Sequence, residues 1–141
     1  MIALFPGSFD PFTQGHANLV ARVLNLFDAV VVAVGVNSDK NYMFSAQQRV
    51  EAIQQRYKED SRVRVVAFSD MTVDCCRREG AGVIVRGVRN AQDMQYEQNV
   101  AAVNHRLAPE IETVLLLADP ELVDVSSTLE REKLMHKTPT P

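Results

Sequence analysis

The stretch Pro6-Gly7-Ser8-Phe9-Asp10-Pro11-Phe12-Thr13-Gln14-Gly15-His16 gathers groups suited to holding an anion. Gly7 has no Cβ, so the backbone there can pass close to a ligand. Ser8 offers a hydroxyl and a backbone N–H. Gly15-His16 falls where a helix is expected to begin, and the free N–H groups and dipole of a helix N-terminus favour negative charge. A histidine at that place can donate a hydrogen bond to a phosphate oxygen. Lys40 lies in a polar stretch, residues 37–44, and is a long cation able to reach a bound phosphate. Arg86 and Arg89 flank Gly87, and two guanidiniums beside a glycine turn suit bidentate phosphate contacts. Ser126-Ser127-Thr128 stands at the start of another expected helix, a second anion-compatible position. Taken singly, each has a plainer reading: a Gly/Pro turn, a solvated loop lysine, surface arginines, a helix cap. No Ser-His-Asp or Cys-His nucleophile–base pair is evident. The chemistry indicated is the positioning of phosphates and the stabilisation of their charge.

These residues need a frame that brings them together. Residues 2–5 are a short apolar run ending at Pro6-Gly7, read as a buried strand and a turn. Leu19, Val20, Val23, Leu24 and Phe27 recur at helical spacing. Ala29 to Val36 is nearly all Val and Ala, as in a strand buried on both faces of a parallel sheet. Ser45 with Gln48 is a capping-box signature for a helix carrying Val50, Ile53 and Tyr57 on one face. Val63, Val65 and Ala67 alternate as a third strand, and a third helix is expected over residues 71–79, before Gly80. Val83-Ile84-Val85 makes a fourth strand. Asn90 caps a long helix with Tyr96, Val100, Val103 and Leu107 as its buried stripe and Glu97 off it. Thr113 to Leu117 is a fifth strand, and Ser127 with Glu130 reads as another capping box. This alternation predicts an α/β fold, a doubly wound five-stranded parallel sheet of Rossmann-like type. In such sheets ligands bind beyond the carboxyl ends of the strands, at the switch point.

The chain's 141 residues suit one domain, expected over residues 1–136, with residues 137–141 a disordered tail. A net charge of −3 and a pI near 5.6 argue against a nucleic-acid partner, without excluding a small polyanion focused in a cleft. No apolar run is long enough to span a membrane, and the N-terminus lacks a basic region and breaks at Pro6, so a cytoplasmic protein is expected. The adjacent Cys75 and Cys76 lack zinc-site spacing and are read as ordinary helix residues, and His105 as a surface residue.

The Gly-Ser-Phe-Asp-Pro-Phe-Thr-Gln-Gly-His string resembles the TxGH signature of the nucleotidyltransferase superfamily, in the form found in bacterial phosphopantetheine adenylyltransferases. The resemblance continues through Lys40 before Met43-Phe44, through Val85-Arg86-Gly87-Val88-Arg89, through Asp93-Met94-Gln95-Tyr96-Glu97 and through Val125-Ser126-Ser127-Thr128, covering about residues 2–129. It implies adenylyl transfer from ATP to 4′-phosphopantetheine, giving dephospho-coenzyme A and pyrophosphate. It implies His16 as the catalytic residue. It implies an ATP site of Ser8, Phe9, His16, Gly87, Val88, Arg89, Glu97, Leu122, Val123, Asp124, Val125, Ser126, Ser127 and Thr128. It implies that Ser8, Lys40, Thr72 and Arg86 hold the pantetheine substrate. It further implies Mg²⁺ bridging phosphates, with no metal-ligating side chain, and a homohexamer. Ser8 keeps the hydroxyl where the family has Thr, Thr72 stands where an apolar residue is common, and Glu130 replaces a Val. The alternatives are a cytidylyltransferase, a nicotinate-mononucleotide adenylyltransferase, or a nucleotide-binding homologue without catalysis.

Overall fold

The computed structural model describes residues 1–122 and 127–136. Within them strands and helices alternate as β1 (Ile2–Gly7), α1 (Gln14–Leu26), β2 (Ala29–Gly35), α2 (Ala46–Arg56), β3 (Val63–Phe68), α3 (Thr72–Glu79), β4 (Val83–Val88), α4 (Ala91–Leu107), β5 (Glu112–Leu117) and α5 (Ser127–His136), with a 3₁₀ turn at Pro120–Leu122. The strands form one parallel sheet in the order β3-β2-β1-β4-β5, as the alternation predicts. Side chains of successive strand residues point to opposite faces. Val30, Val32 and Val34 of β2 therefore join Ala3 and Phe5 of β1 under α1 and α2, where Val20, Val23 and Ile53 close that core. Val31, Ala33 and Leu4 join Val73, Cys75 and Cys76 of α3 on the other face. Both thiols are buried, and burial raises their pKa, that of Cys76 to about 12, so they pack as small apolar groups.

Local signals set several boundaries. Ser45 and Gln48 make the expected reciprocal cap of α2, at 3.1 and 2.9 Å. Gly80 ends α3 in the left-handed region at φ 71°, a conformation that favours glycine. Asn90 caps α4 through the Asp93 N–H at 2.8 Å.

Five expectations need correction. β1 does not stop before Pro6 but continues through Gly7, paired only to β2 there. It parts from β4 after Leu4, so the missing N–H of Pro6 costs no bond on that side. β4 runs on to Val88, because it pairs with β5 along its whole length, so Arg86 and Gly87 lie in a strand and not in a glycine turn. Most of the stripe on α4 faces outward: Tyr96, Val103 and Leu107 are exposed and Val100 is half-buried beside the smaller cavity, while Glu97 and Asn104 are buried against the sheet. α5 begins at Ser127, which is therefore inside the helix and not its cap; the Ser127 hydroxyl instead donates to Pro11 O at 2.9 Å, and Glu130 pairs with Lys133. In β3, Ala67 is exposed and the neighbouring Val66 and Phe68 pack on the second core. Residues 137–141 lie outside the described residues. Among the described residues no helix is long and apolar enough to cross a membrane.

Candidate active site

The sheet's switch point lies between β1 and β4, where the chain leaves β1 toward β2 and leaves β4 toward β5. Parting of the two strands after Leu4 opens a crevice there. The Arg86 guanidinium bridges it, with Nη1 donating to Pro6 O at 2.5 Å and Nε and Nη2 donating to the Glu97 carboxylate at 2.9–3.1 Å. Glu97 is only 4% exposed, and this fork gives its buried carboxylate a cationic partner and three hydrogen bonds.

The loop after β1 builds the other wall. Phe9 adopts φ 49°, unusual for a bulky residue and worth about 1–3 kcal/mol of local strain. Its buried ring packs over Gly7, where a Cβ would meet Phe9 Cζ at 3.0 Å, and meets the His16 imidazole edge-on with centroids 4.9 Å apart. Gly87 serves a similar end, since a Cβ there would lie 2.6 Å from Leu19 Cδ1 of α1. Thr13 caps α1, and the box is closed by histidine: the Thr13 N–H donates to His16 Nδ1 at 2.9 Å. With Nδ1 accepting, a neutral imidazole must carry its proton on Nε2. Burial first, then the positive fields of Arg86 and Arg89, push the His16 pKa down from 6.5 to about 4. His16 is thus a neutral Nε2–H donor at pH 7.

This has a measurable sign. The folded-state pKa lies below the unfolded value, so the unfolded chain binds more protons between the two. His16 therefore contributes stability that is complete above pH 6.5 and is lost as pH falls toward 4, up to about 3 kcal/mol. Urea unfolding at pH 7.5 and 4.5 should show a smaller pH difference in His16→Gln than in the unaltered protein. An equal difference in both would show that His16 titrates normally.

Two adjoining cavities open on this wall. The larger, about 380 Å³, is lined by Ser8, Phe9, His16, Gly87, Arg89, Glu97, Leu122, Ser127 and Thr128, among others. The smaller, about 270 Å³, is lined by Ser8, Lys40, Thr72 and Arg86, with Phe68, Tyr96 and Asn104. Pro6, Gly7, Ser8, Arg86, Tyr96 and Glu97 border both. The residues expected from sequence thus divide between two connected spaces. Val88 lines neither and is buried in β4. Val123, Asp124, Val125 and Ser126 lie outside the described residues. Lys40 Nζ reaches Ser8 Oγ at 3.1 Å across the smaller cavity, and Arg89 pairs with Asp93 at 3.1 Å on the rim of the larger.

The sequence resembles known proteins along most of its length. The cytidylyltransferase-like family model matches residues 4–133. The phosphopantetheine adenylyltransferase of Bacteroides fragilis is 46% identical over 94% of this chain and 87% of its own length. That of Leptospira biflexa is 42% identical over 96% of this chain and 84% of its own length. The chain belongs to the phosphopantetheine adenylyltransferase family. In fold, the family member resembles a bifunctional NMN adenylyltransferase/ADP ribose pyrophosphatase from Francisella tularensis, with a TM-score of 0.72 at 18% identity over 99% of this chain and 43% of that one. A lipopolysaccharide core biosynthesis protein from Thermoplasma volcanium gives 0.61 at 19% identity over 84% and 96%.

In this phosphopantetheine adenylyltransferase family member, sequence reasoning missed several residues that shape the site. Asp10 is buried, and its carboxylate accepts from the Met43 and Phe44 N–H groups at 2.8 and 2.9 Å, tying the Lys40-bearing loop to the loop after β1. Arg131 donates to Asp10 O at 2.7 Å and to Thr128 Oγ1 at 3.0 Å, so α5 is docked on the same loop. Arg49 is buried at the start of α2. In the sequence, Asp10 is marked only by its place in the Phe-Asp-Pro string, and no motif or spacing marks Arg131 or Arg49.

Proposed function

We propose that this chain transfers the adenylyl group of ATP to 4′-phosphopantetheine, giving dephospho-coenzyme A and pyrophosphate. The observation that supports this best is the pair of joined cavities, with Ser8 and Arg86 at the junction and His16 in the wall of the larger. ATP takes the larger cavity, against Ser8, Phe9, His16, Gly87, Arg89, Glu97, Leu122, Ser127 and Thr128. The pantetheine phosphate takes the smaller, against Ser8, Lys40, Thr72 and Arg86.

The nucleophile is an oxygen of the pantetheine phosphate, whose second pKa of ~6 leaves it largely ionised at neutral pH. It attacks the α-phosphorus, forming one P–O bond as the bond to the β-phosphate oxygen breaks, and pyrophosphate leaves with that electron pair. No proton must be removed, so no side chain acts as general base. Negative charge builds on the α-phosphate oxygens, and the neutral His16 Nε2–H donates to one of them. Arg86 and Lys40 hold the two anions near each other, and the Phe9 and His16 rings, which meet edge-on in the wall of the larger cavity, limit water there.

Mg²⁺ is part of this proposal as a phosphate-bound ion. Among the described residues no cluster of three His, Cys, Asp or Glu side chains could hold a metal, and Glu97 and Asp93 are engaged by Arg86 and Arg89. A protein-built cage does not fit these residues, and Mg²⁺ that takes its ligands from phosphates and water needs none. A homohexamer and a cytoplasmic location complete the proposal. The outward apolar residues Tyr96, Val103 and Leu107 of α4 supply surface that association between copies could bury.

Turnover of ATP with 4′-phosphopantetheine tests the reading directly. Dephospho-coenzyme A and pyrophosphate should appear in equal amounts. Turnover of CTP with glycerol phosphate, or of ATP with nicotinate mononucleotide, in their place would replace it, and binding of ATP without any turnover would mark a non-catalytic homologue. Within the same assay, Arg89→Ala should weaken ATP binding and Lys40→Ala the binding of the second substrate, each by roughly 1.5–3 kcal/mol. Unaltered affinities for both ligands in both variants would remove these cations from the site. Loss of Arg89 also leaves the Asp93 carboxylate facing the triphosphate without its guanidinium, which adds to the ATP effect.

A further inference from the structure

Lys40 and Ser8 belong to loops that follow different strands, yet they meet at 3.1 Å. A long exposed lysine in a polar loop has large rotamer freedom, and the loop around it must be held for that approach to persist. The groups that hold it converge on one buried side chain. Arg49 is 3% exposed. Its Nη1 donates to Ser8 O at 2.8 Å and to Gly35 O at 2.9 Å, and its Nε donates to Phe44 O at 3.2 Å. Its Cζ lies 3.8 Å from the centre of the Tyr42 ring, and the Tyr42 hydroxyl in turn accepts from the Asn37 N–H at 3.0 Å. One guanidinium therefore joins the ends of β1 and β2 to the far end of the Lys40 loop, and packs on a ring in the middle of that loop.

We propose that Arg49 is a positioning residue that sets Ser8 and Lys40 at the distance at which both engage the phosphate of the second substrate. The chemistry favours arginine in particular. The three acceptors are carbonyls that need separate N–H groups in a plane, and the same plane stacks on Tyr42. A lysine keeps the charge, but its single ammonium cannot serve Phe44 O from an Nε position or lie flat on the ring. A buried charge whose acceptors, among the described residues, are backbone carbonyls is a costly device for stability alone. Asp10 holds the same loop from its other side through Met43 and Phe44, so releasing Arg49 frees one of two anchors and leaves the fold in place.

The role in substrate binding rests on the function proposed above, so the test has one arm independent of it. In Arg49→Lys, hydrogen exchange at the Met43 and Phe44 amides should quicken by roughly tenfold or more, with β2 amides unchanged. In turnover, the KM for 4′-phosphopantetheine should rise by roughly tenfold while ATP binding stays within about twofold. The same substitution made on Lys40→Ala should raise KM by less than about threefold, because one of the two groups whose spacing Arg49 sets is gone. Unchanged exchange at Met43 and Phe44 overturns the proposal, and so does a KM effect of the same size with and without Lys40. If the unaltered protein does not use 4′-phosphopantetheine, the substrate reading fails, and the exchange arm still decides whether Arg49 holds the loop.

Discussion

His16→Ala should bind ATP within a fewfold of the unaltered protein and turn over on the order of 10²–10³ more slowly. The imidazole sits in the wall of the larger cavity, neutral, with Nδ1 occupied by the Thr13 N–H and Nε2–H left to donate. A donor held in place before the reaction acts most strongly on charge that develops in the transition state, so kcat carries the loss and ATP affinity does not. The same side chain closes the cap of α1, and its removal strips the Thr13 N–H of a partner at a cost of about 1 kcal/mol. The two roles separate with His16→Gln. Glutamine is a usual partner in a capping box, so this variant should regain the cap and the lost melting temperature while kcat stays low. A stable, ATP-binding His16→Ala protein with near-normal kcat would leave His16 only its capping role.

The largest expected effect on stability is at Arg86. Arg86→Ala removes three hydrogen bonds to a carboxylate that is almost wholly buried, and one to Pro6 O. Breaking a buried pair by deleting one partner is costly chiefly because the other is left charged and desolvated, about 3 kcal/mol here since Arg86 itself is partly exposed. For a chain of this length that corresponds to a fall of about 10 °C in Tm. Adding Glu97→Gln to Arg86→Ala should recover much of that fall, because a neutral amide takes the place of the stranded carboxylate. It should not recover turnover, since Arg86 lies at the junction of the two cavities. Thermal melts and kcat/KM on the single and double variants check both halves. Equal Tm values for the single and double variants would show that the carboxylate is not what destabilises Arg86→Ala.

Legibility in the sequence followed the range of the interaction. The valine run at 29–36, the helical spacing of Leu19, Val20 and Val23, and the Ser45–Gln48 and Asn90 caps are local patterns, and each became the element it predicts. The α4 stripe failed for the complementary reason. Apolar spacing marks one face of a helix, but cannot say whether a sheet or the outside lies against it. Arg86 reverses the hydrophobic preference: its guanidinium makes burial of Glu97 tolerable, and the helix turns Glu97 and Asn104 inward. Arg49 and Asp10 were hidden in the same way, since the Ser8 and Gly35 carbonyls and the Met43 and Phe44 amides that they bind lie 14 to 41 residues away in sequence.

The sequence by itself determined the order of strands and helices, the parallel sheet and the family, because periodicity, caps and the Gly-His and Arg-Gly-Val-Arg strings are carried by neighbouring residues. Among the described residues, every one it marked for the site except Val88 lines one of the two cavities, since in this fold the residues just beyond each strand gather at one edge. Only the tertiary structure decided how those residues are used. The tautomer and low pKa of His16 follow from Thr13, from burial and from two arginines some 70 residues away; the Arg86 bond to Pro6 O spans the gap where β1 and β4 part after Leu4. Charge, protonation and hydrogen-bond partnership depend on distances through space and on exclusion of water, and spacing along a chain encodes neither until the sheet has formed.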